Sequence, residues 1–102
     1  MVSEIKNFAW SPKYNINRHR RGRVEILADV LNAAAGGDRS THIMYKANLN
    51  FHQRKKYLTE AINSGLVGVR INPPLMYVTT EKGHKWLDDY RKLLKDSGAF
   101  ST

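Results

Sequence analysis

The sequence predicts a single α+β domain in which three helices are followed by a two-stranded hairpin and a last helix. The chain has 102 residues, close to the usual size of one domain. Apolar residues recur at spacings of three and four in several segments, as they do on one face of a helix. After the third of these segments, two short apolar runs flank Asn72-Pro73-Pro74, a turn that cannot continue a strand.

The first helix is predicted over residues 20–35, where Gly36-Gly37 supplies the C-terminal stop. It carries two apolar stripes on nearly opposite sides. One stripe consists of Val24, Leu27, Ala28, Leu31 and Ala35, and the other of Ile26, Val30 and Ala33. A helix with two apolar faces must be covered on both, so we expect the N-terminal arm or a second subunit to cover the second stripe.

A short second helix is predicted from Ser40 or Thr41 to about Ala47, because either hydroxyl oxygen can accept a free amide hydrogen of the first turn. Ile43, Met44 and Ala47 are expected to face inward. After a break at 48–49, Asn50 is a good N-cap for a third helix that runs to about residue 63 and ends at Ser64-Gly65. Two short helices joined by a tight turn form a helix-turn-helix unit.

The hairpin is predicted from strands at 66–71 and 75–78, and it forms the wing that follows the third helix. Thr79 or Thr80 can cap the last helix, predicted from Glu81 to about residue 94. Glu81 suits the positive end of this helix. Its apolar stripe consists of Leu87, Tyr90, Leu93 and Leu94.

The organisation predicted along the chain is an N-terminal arm at 1–17, a domain at 18–96 and a tail at 97–102. The arm shows no clear period, yet it carries Phe8, Trp10 and Tyr14, which is unusual for a plain solvated tail. The domain includes a C-terminal dimerisation helix at 80–95.

The charge of the chain predicts a polyanionic partner. Seventeen Lys and Arg residues against nine Asp and Glu give a formal charge of +8 and a pI of about 10. Nucleic acid is the first candidate, with an anionic membrane surface as the competitor. No stretch approaches the roughly 20 apolar residues of a spanning helix, and residues 1–17 lack a signal-peptide core, so we expect a cytoplasmic, nucleoid-associated protein.

Candidate catalytic chemistry is absent from the sequence pattern. There is no cysteine, and the histidines at 19, 42, 52 and 84 lie far apart without carboxylates at ligand spacing. Asp88 and Asp89 are adjacent on a helix, so their side chains diverge by about 100° and cannot form an acid/base pair by themselves. We therefore expect a binding protein, not an enzyme, with no metal, cofactor or small-molecule substrate.

Four segments of the chain resemble a known family. They are residues 41–49 (THIMYKANL), 56–58 (KYL), 64–66 (SGL) and 80–83 (TEKG), in this order. They are similar to segments of the archaeal winged helix-turn-helix family of small DNA-binding and chromatin-type proteins, over about residues 20–94. The resemblance implies a winged helix that binds duplex DNA, with the third helix in the major groove and dimers formed through the C-terminal helix. Two departures are Arg54, where the family usually has Leu, and Asp96-Ser97-Gly98, which is expected to stop a last helix that is often longer.

The third helix carries the central candidates for DNA contact. With Phe51 on the apolar face beside Leu58, His52, Gln53 and Lys56 fall on the other side. Gln pairs with adenine and Lys with guanine, and both also contact phosphate, so residue type alone leaves sequence readout open. The alternative is a solvated helix face. Arg54 falls near the apolar face, where it either reaches a phosphate along its stem or has a partly buried structural role.

Further basic residues complete the predicted interface. A run of arginines at the start of the first helix lies at the wrong end for the helix dipole, so we expect phosphate contacts there, with a solvated basic tail as the alternative. Tyr45 either contacts the DNA backbone or is a core residue of the protein. The candidate DNA-binding residues are Asn50, His52, Gln53, Arg54, Lys56, Lys46, Tyr45, Arg70, Arg18, Arg20, Arg21 and Arg23.

The leading hypothesis is a homodimeric duplex-DNA-binding protein, either a transcriptional regulator or an architectural chromatin protein. The candidate dimerisation residues are Trp86, Leu87, Tyr90, Leu93, Leu94, Ile26 and Val30. Packing of the last helix is the preferred explanation for Trp86 and Tyr90, with base stacking as the alternative. Two other hypotheses remain open: a winged-helix protein-interaction module, and an RNA-binding protein whose aromatic arm stacks on unpaired bases.

Overall fold

The structure, a computed structural model, describes residues 21–96, and the predicted arm and tail lie outside them. The elements in chain order are α1 (Arg23–Ala33), α2 (Ser40–Lys46), α3 (Phe51–Asn63), β1 (Val67–Arg70), β2 (Met76–Thr79) and α4 (Glu81–Asp96). The predicted order of three helices, two strands and a last helix is confirmed, and so is the α+β fold class.

The core surrounds α1, which packs against α2, α3, α4 and β2. Both of its apolar stripes are covered: Leu31 of the first and Val30 of the second are fully buried, and Ile26 is 5% exposed. Val24, at the start of the helix, is half exposed. Ile26 and Val30 were predicted to line a dimer interface, and the structure corrects this, because both side chains already lie in the hydrophobic core of one chain.

The two helices of the helix-turn-helix unit begin differently. Asn50 is the N-cap of α3, as predicted, and its Oδ1 accepts a hydrogen bond from the Gln53 amide at 2.7 Å. The N-cap of α2 is Arg39, and no side chain of that cap accepts a hydrogen bond, so the predicted Ser40 or Thr41 cap is wrong. The Asp38 carboxylate instead accepts a hydrogen bond from the Arg39 amide at 2.8 Å.

The hairpin is antiparallel, with a register that runs from the pair Val67 and Thr79 to the pair Arg70 and Met76. The first strand is shorter than predicted, and the second has the predicted length but lies one residue later. The turn at 71–75 extends beyond the last pair. An isolated bridge between Asp38 and Tyr77 joins the loop before α2 to the outer edge of the hairpin.

The hairpin and α4 are fixed closely to the helical core. The Thr79 hydroxyl donates a hydrogen bond to the Leu31 carbonyl at 2.6 Å, and Thr80 Oγ1 accepts one from the Gly83 amide, which confirms the predicted Thr80 cap. A Cβ atom at Gly83 would lie 2.6 Å from Thr79 Cγ2 and would overlap the Leu66 carbonyl oxygen. Within residues 21–96, no helix combines the length and the apolar character that crossing a bilayer requires.

Candidate nucleic-acid interface

The exposed face of α3 is basic and polar. His52, Lys55, Lys56 and Thr59 follow each other at spacings of one, three or four residues and line one open depression of about 430 Å³. His52, Lys55, Lys56 and Thr59 are all exposed. Within the described part of the chain, neither lysine takes part in an ion pair, so both ammonium groups are available to an anion. We call these four residues the α3 basic face.

The prediction oriented α3 differently. It placed Phe51 on the apolar face beside Leu58 and Ala61. Leu58 and Ala61 are buried as predicted, but the Phe51 ring is 67% exposed and Tyr57 is buried. The aromatic side chain of α3 that faces the core is therefore Tyr57 and not Phe51. Its burial turns the helix so that Lys55 and Thr59 face outward. Sequence reasoning missed both, although their spacing from His52 is that of one helical face.

Asn50 and Gln53 are engaged with each other. Asn50 Oδ1 accepts a hydrogen bond from the Gln53 backbone amide, and the Asn50 backbone amide donates one to Gln53 Oε1 at 3.0 Å. The two side chains thus close a capping box at the start of α3. The cap uses the side-chain oxygen of Gln53, which leaves its amide group as the part that can contact another molecule. Both residues therefore orient the N-terminus of α3.

The side chain of Arg54, a residue of α3, contacts α2. Its Nη1 donates a hydrogen bond to Ser40 Oγ at 3.0 Å, and its guanidinium carbon lies 4.6 Å from the centre of the Phe51 ring. Contacts of this kind join the two helices and shield one face of the exposed ring. The partly buried structural role considered for Arg54 is the one that the structure shows.

Arg21 is a structural residue. Its Nη1 atom lies 2.6 Å from Asp29 Oδ2 and donates to the Ala47 carbonyl, while Nη2 donates to the Asn48 carbonyl at 2.6 Å. One guanidinium group thus binds a carboxylate of α1 and the two carbonyl groups that end α2. The structure thus gives Arg21, which was predicted to contact phosphate, an internal role in which both terminal nitrogens are engaged within the fold.

Arg23 forms an ion pair with Glu60, the carboxylate of α3. The hydrogen bond to this carboxylate and its negative charge raise the pKa of the Arg23 guanidinium above its usual value. The Arg23 side chain is 69% exposed, so it remains at the surface beside α3. The other two predicted arginines of this run, Arg18 and Arg20, lie outside the described residues.

The end of α2 exposes a large aromatic side chain. Tyr45 is 85% exposed, so the alternative of a core residue is wrong. Lys46 Nζ lies 2.8 Å from Asp38 Oδ2, and His42 Nδ1 lies 3.0 Å from Asp38 Oδ1. The hydrogen bond from Lys46, with those from the Arg39 amide and His42, lowers the pKa of the Asp38 carboxyl to about 2.

The hairpin presents one cation, Arg70, at the end of β1. Arg70 is exposed and precedes Ile71, which is 80% exposed. One pair below the turn of the hairpin, Tyr77 of β2 shares a cleft of about 170 Å³ with Arg54 and Lys55 of α3. The hairpin and the α3 basic face therefore border one continuous surface.

The outer face of α4 is apolar and partly open. The rings of Trp86 and Tyr90 are stacked, with their centres 5.5 Å apart, and both pack against the core. Burial, followed by the nearby Glu25 and Asp29 carboxylates, raises the pKa of Tyr90. Val24 and the 66% exposed Leu93 border the same two rings, around a cleft of about 230 Å³.

The candidate dimerisation residues of α4 are thus not equivalent. Leu87 is 1% exposed and belongs to the core, so it offers no surface to a partner, whereas Leu94 is half-buried. Trp86, Tyr90 and Leu93 keep a surface. Among residues 21–96, no three His, Asp or Glu side chains are grouped as a metal site would require.

Comparisons with solved structures place the fold among known proteins. The chain is similar to Sso10a-2, a DNA-binding protein from Sulfolobus solfataricus, with a TM-score of 0.70 and 24% identity over 79% of this chain and 86% of that one. It is similar to Sco5413, a MarR family transcriptional regulator from Streptomyces coelicolor, with a TM-score of 0.61 and 22% identity over 78% of this chain and 56% of that one.

A MarR family transcriptional regulator from Silicibacter pomeroyi DSS is similar with a TM-score of 0.59 and 20% identity, over 72% of this chain and 50% of that one. The chain thus spans about half the length of each MarR family protein. A comparison with curated proteins gave no match. The model of the family described as "Winged helix-turn-helix" matches residues 20–97, which include every described element, and the chain therefore belongs to the winged helix-turn-helix family.

Proposed function

We propose that this protein binds double-stranded DNA, with α3 in the major groove and the hairpin on the sugar-phosphate backbone. The observation that carries the proposal is the α3 basic face, where Lys55 and Lys56 are exposed on the second helix of a helix-turn-helix unit. The formal charge of +8 favours a polyanionic partner in general. The α3 basic face places part of this charge on one side of a helix, and a helix fits the major groove.

Three neighbouring features extend the proposed contact surface. Tyr45 at the end of α2 is exposed and available to one DNA strand beside the groove, whereas the exposed Lys46 is paired with Asp38. Arg70 of the hairpin is available to the DNA strand on the other side of the groove. Arg23 lies beside α3 through its pair with Glu60 and can add a phosphate contact at the edge.

The comparisons support this proposal through the nature of the similar proteins. Sso10a-2 is a DNA-binding protein, and the two MarR family proteins are transcriptional regulators. We infer a regulatory or architectural role on the nucleoid for this chain. A regulator binds one operator far more tightly than other duplexes, whereas an architectural protein binds them evenly.

We also propose that the protein acts as a homodimer through the outer face of α4. Val24, Trp86, Tyr90 and Leu93 form the apolar surface of this face. With 16 residues, α4 is about 24 Å long, which is enough for about two heptads of contact. Sedimentation of the wild-type chain and of Leu93→Glu tests it: the wild type should be a dimer and the variant a monomer, and a monomeric wild type contradicts it.

The DNA proposal is tested by the salt dependence of affinity for a random duplex. Each neutralised phosphate contributes a slope of about −0.9 to log K against log salt, so a steep line is expected. The double variant Lys55→Ala, Lys56→Ala loses about two phosphate contacts, so the slope should become shallower by about 1.8. Its affinity for the duplex should fall at least tenfold. A salt-independent affinity contradicts the proposal.

A matched control separates site from net charge. Lys92→Ala, Lys95→Ala removes the same charge from exposed positions on α4 and should change the slope far less. Equal effects of the two double variants contradict the assignment to α3. Competition between duplex DNA, single-stranded RNA and an acidic polypeptide identifies the partner, and preference for either of the last two would replace the duplex in this proposal.

A further inference from the structure

The tip of the hairpin exposes apolar side chains to water. Ile71 is 80% exposed and Leu75 is 48% exposed, and Asn72, Pro73 and Pro74 between them are exposed as well. Tight hairpin turns usually carry Gly, Asn and Asp, which supply the required backbone angles, so turn geometry does not explain two aliphatic side chains here. These two aliphatic side chains are therefore available for burial against a partner.

The tip is also stiff and projecting. The strand ladder ends at the pair Arg70 and Met76, so residues 71–75 extend beyond the last pair. Each proline ring fixes its own φ angle, which reduces the backbone freedom that the tip would lose on binding. A narrow, stiff and apolar protrusion has the shape of a wedge.

Charge favours a polyanionic partner for this wedge. The only charged residue between 61 and 80 is Arg70, which directly precedes Ile71. A second copy of the tip would bring two Arg70 guanidinium groups together, which costs free energy. A surface that offers phosphates beside an apolar cleft satisfies both the cation and the aliphatic side chains.

We propose that Ile71 and Leu75 enter the minor groove of bound duplex DNA, unstack a single base step and bend the duplex. This inference rests on the proposed function and adds a consequence that groove contact by α3 does not require. Side chains of Ile, Leu and Pro are among those that unstack base steps from the minor groove, with kinks of about 20–90°. Arg70 contacts the adjacent phosphates, and the surface shared by Tyr77 and Lys55 connects the wedge to the α3 basic face.

The test uses a duplex of about 30 base pairs with dyes at both ends and 2-aminopurine at central TA steps, which unstack readily. Wild-type protein should raise the 2-aminopurine fluorescence and the energy transfer between the ends. The double variant Ile71→Ser, Leu75→Ser should bind about tenfold more weakly with an unchanged salt slope, because no cation is removed. At saturation it should leave both signals near those of free DNA.

Val69→Ser is the matched control, since Val69 is a 42% exposed apolar residue of the same hairpin, below the tip. It should bend DNA as the wild type does. A wild type that saturates the duplex without either signal, or a double variant that bends it equally, overturns the wedge while DNA binding stands. A wild type that binds no duplex contradicts the proposed function itself. A tip variant that loses only self-association assigns the tip to a second copy and also overturns the wedge.

Discussion

Arg21, which directly precedes the start of α1, forms an ion pair with Asp29 of α1, with Nη1 2.6 Å from Oδ2. The same guanidinium donates hydrogen bonds to the Ala47 and Asn48 carbonyls, where Asn48 has a φ of 57°. The end of α2 lies in the turn that leads to α3. This single side chain therefore stabilises the helix-turn-helix unit from outside it.

Replacing this side chain should destabilise the fold. We expect Arg21→Ala to lower the free energy of unfolding by about 2 kcal/mol, since two carbonyls and a carboxylate lose a charged donor. Urea unfolding followed by circular dichroism measures it. Arg70→Ala removes an exposed arginine and should stay within about 0.5 kcal/mol of the wild type. Equal stability of Arg21→Ala and the wild type would show that these bonds contribute nothing.

The order of elements could be predicted because its signals are local. Asn50 caps α3 through an amide three residues away, and Gly37 and Gly65 have positive φ angles of 90° and 78° after α1 and α3. Each of these signals lies within a few residues of the element that it bounds. A single sequence is enough to find them.

The candidate site could be predicted only to a limited extent, because its details depend on distant residues. Arg23 is engaged by a carboxylate 37 residues away, and Arg21 by carbonyls 26 and 27 residues away. No local spacing indicates which cation will meet which acceptor. The orientation of α3 likewise depends on whether Tyr57 or Phe51 packs into the core, and both are large enough to do so.

Gly83 should tolerate no side chain. Gly83→Ala places a methyl group against the Leu66 carbonyl and 2.6 Å from Thr79 Cγ2, so α4 must move away from the hairpin. We expect a loss of about 2–3 kcal/mol of unfolding free energy, as overpacking of a rigid contact costs. Gly36→Ala is the control, because a methyl group there meets no atom within 4 Å. Thermal and urea unfolding of both variants decide it, and equal stability would contradict the close packing.

Asp38 should make the fold sensitive to acid. Its pKa is lowered to about 2 from an ordinary value of 3.8, so the folded state favours the charged carboxylate. The resulting stability is present above about pH 4 and is lost as the pH falls toward 2. We expect Asp38→Asn to have a lower Tm than the wild type at pH 6, with the difference shrinking between pH 4 and pH 2.

Circular dichroism melts from pH 2 to pH 6 measure this difference. Asp96→Asn, at the exposed end of α4, is the control for removing one carboxylate. A Tm difference for Asp38→Asn that stays constant down to pH 2 would show that the contacts with Lys46 and Arg39 do not hold the charged form.

Glu60 should weaken the proposed contact with DNA. It is the one carboxylate of α3, and it holds Arg23 in an ion pair beside the α3 basic face. Glu60→Gln removes a negative charge near the phosphates and releases the guanidinium, so we expect three- to tenfold tighter binding at about 0.1 M salt. The salt slope should steepen by about 0.9, because one more cation can neutralise a phosphate.

Glu81→Gln makes the same change at the start of α4 and should have a smaller effect. Fluorescence anisotropy titrations at several salt concentrations give both quantities, and weaker or unchanged binding of Glu60→Gln would place Arg23 and this end of α3 away from the DNA.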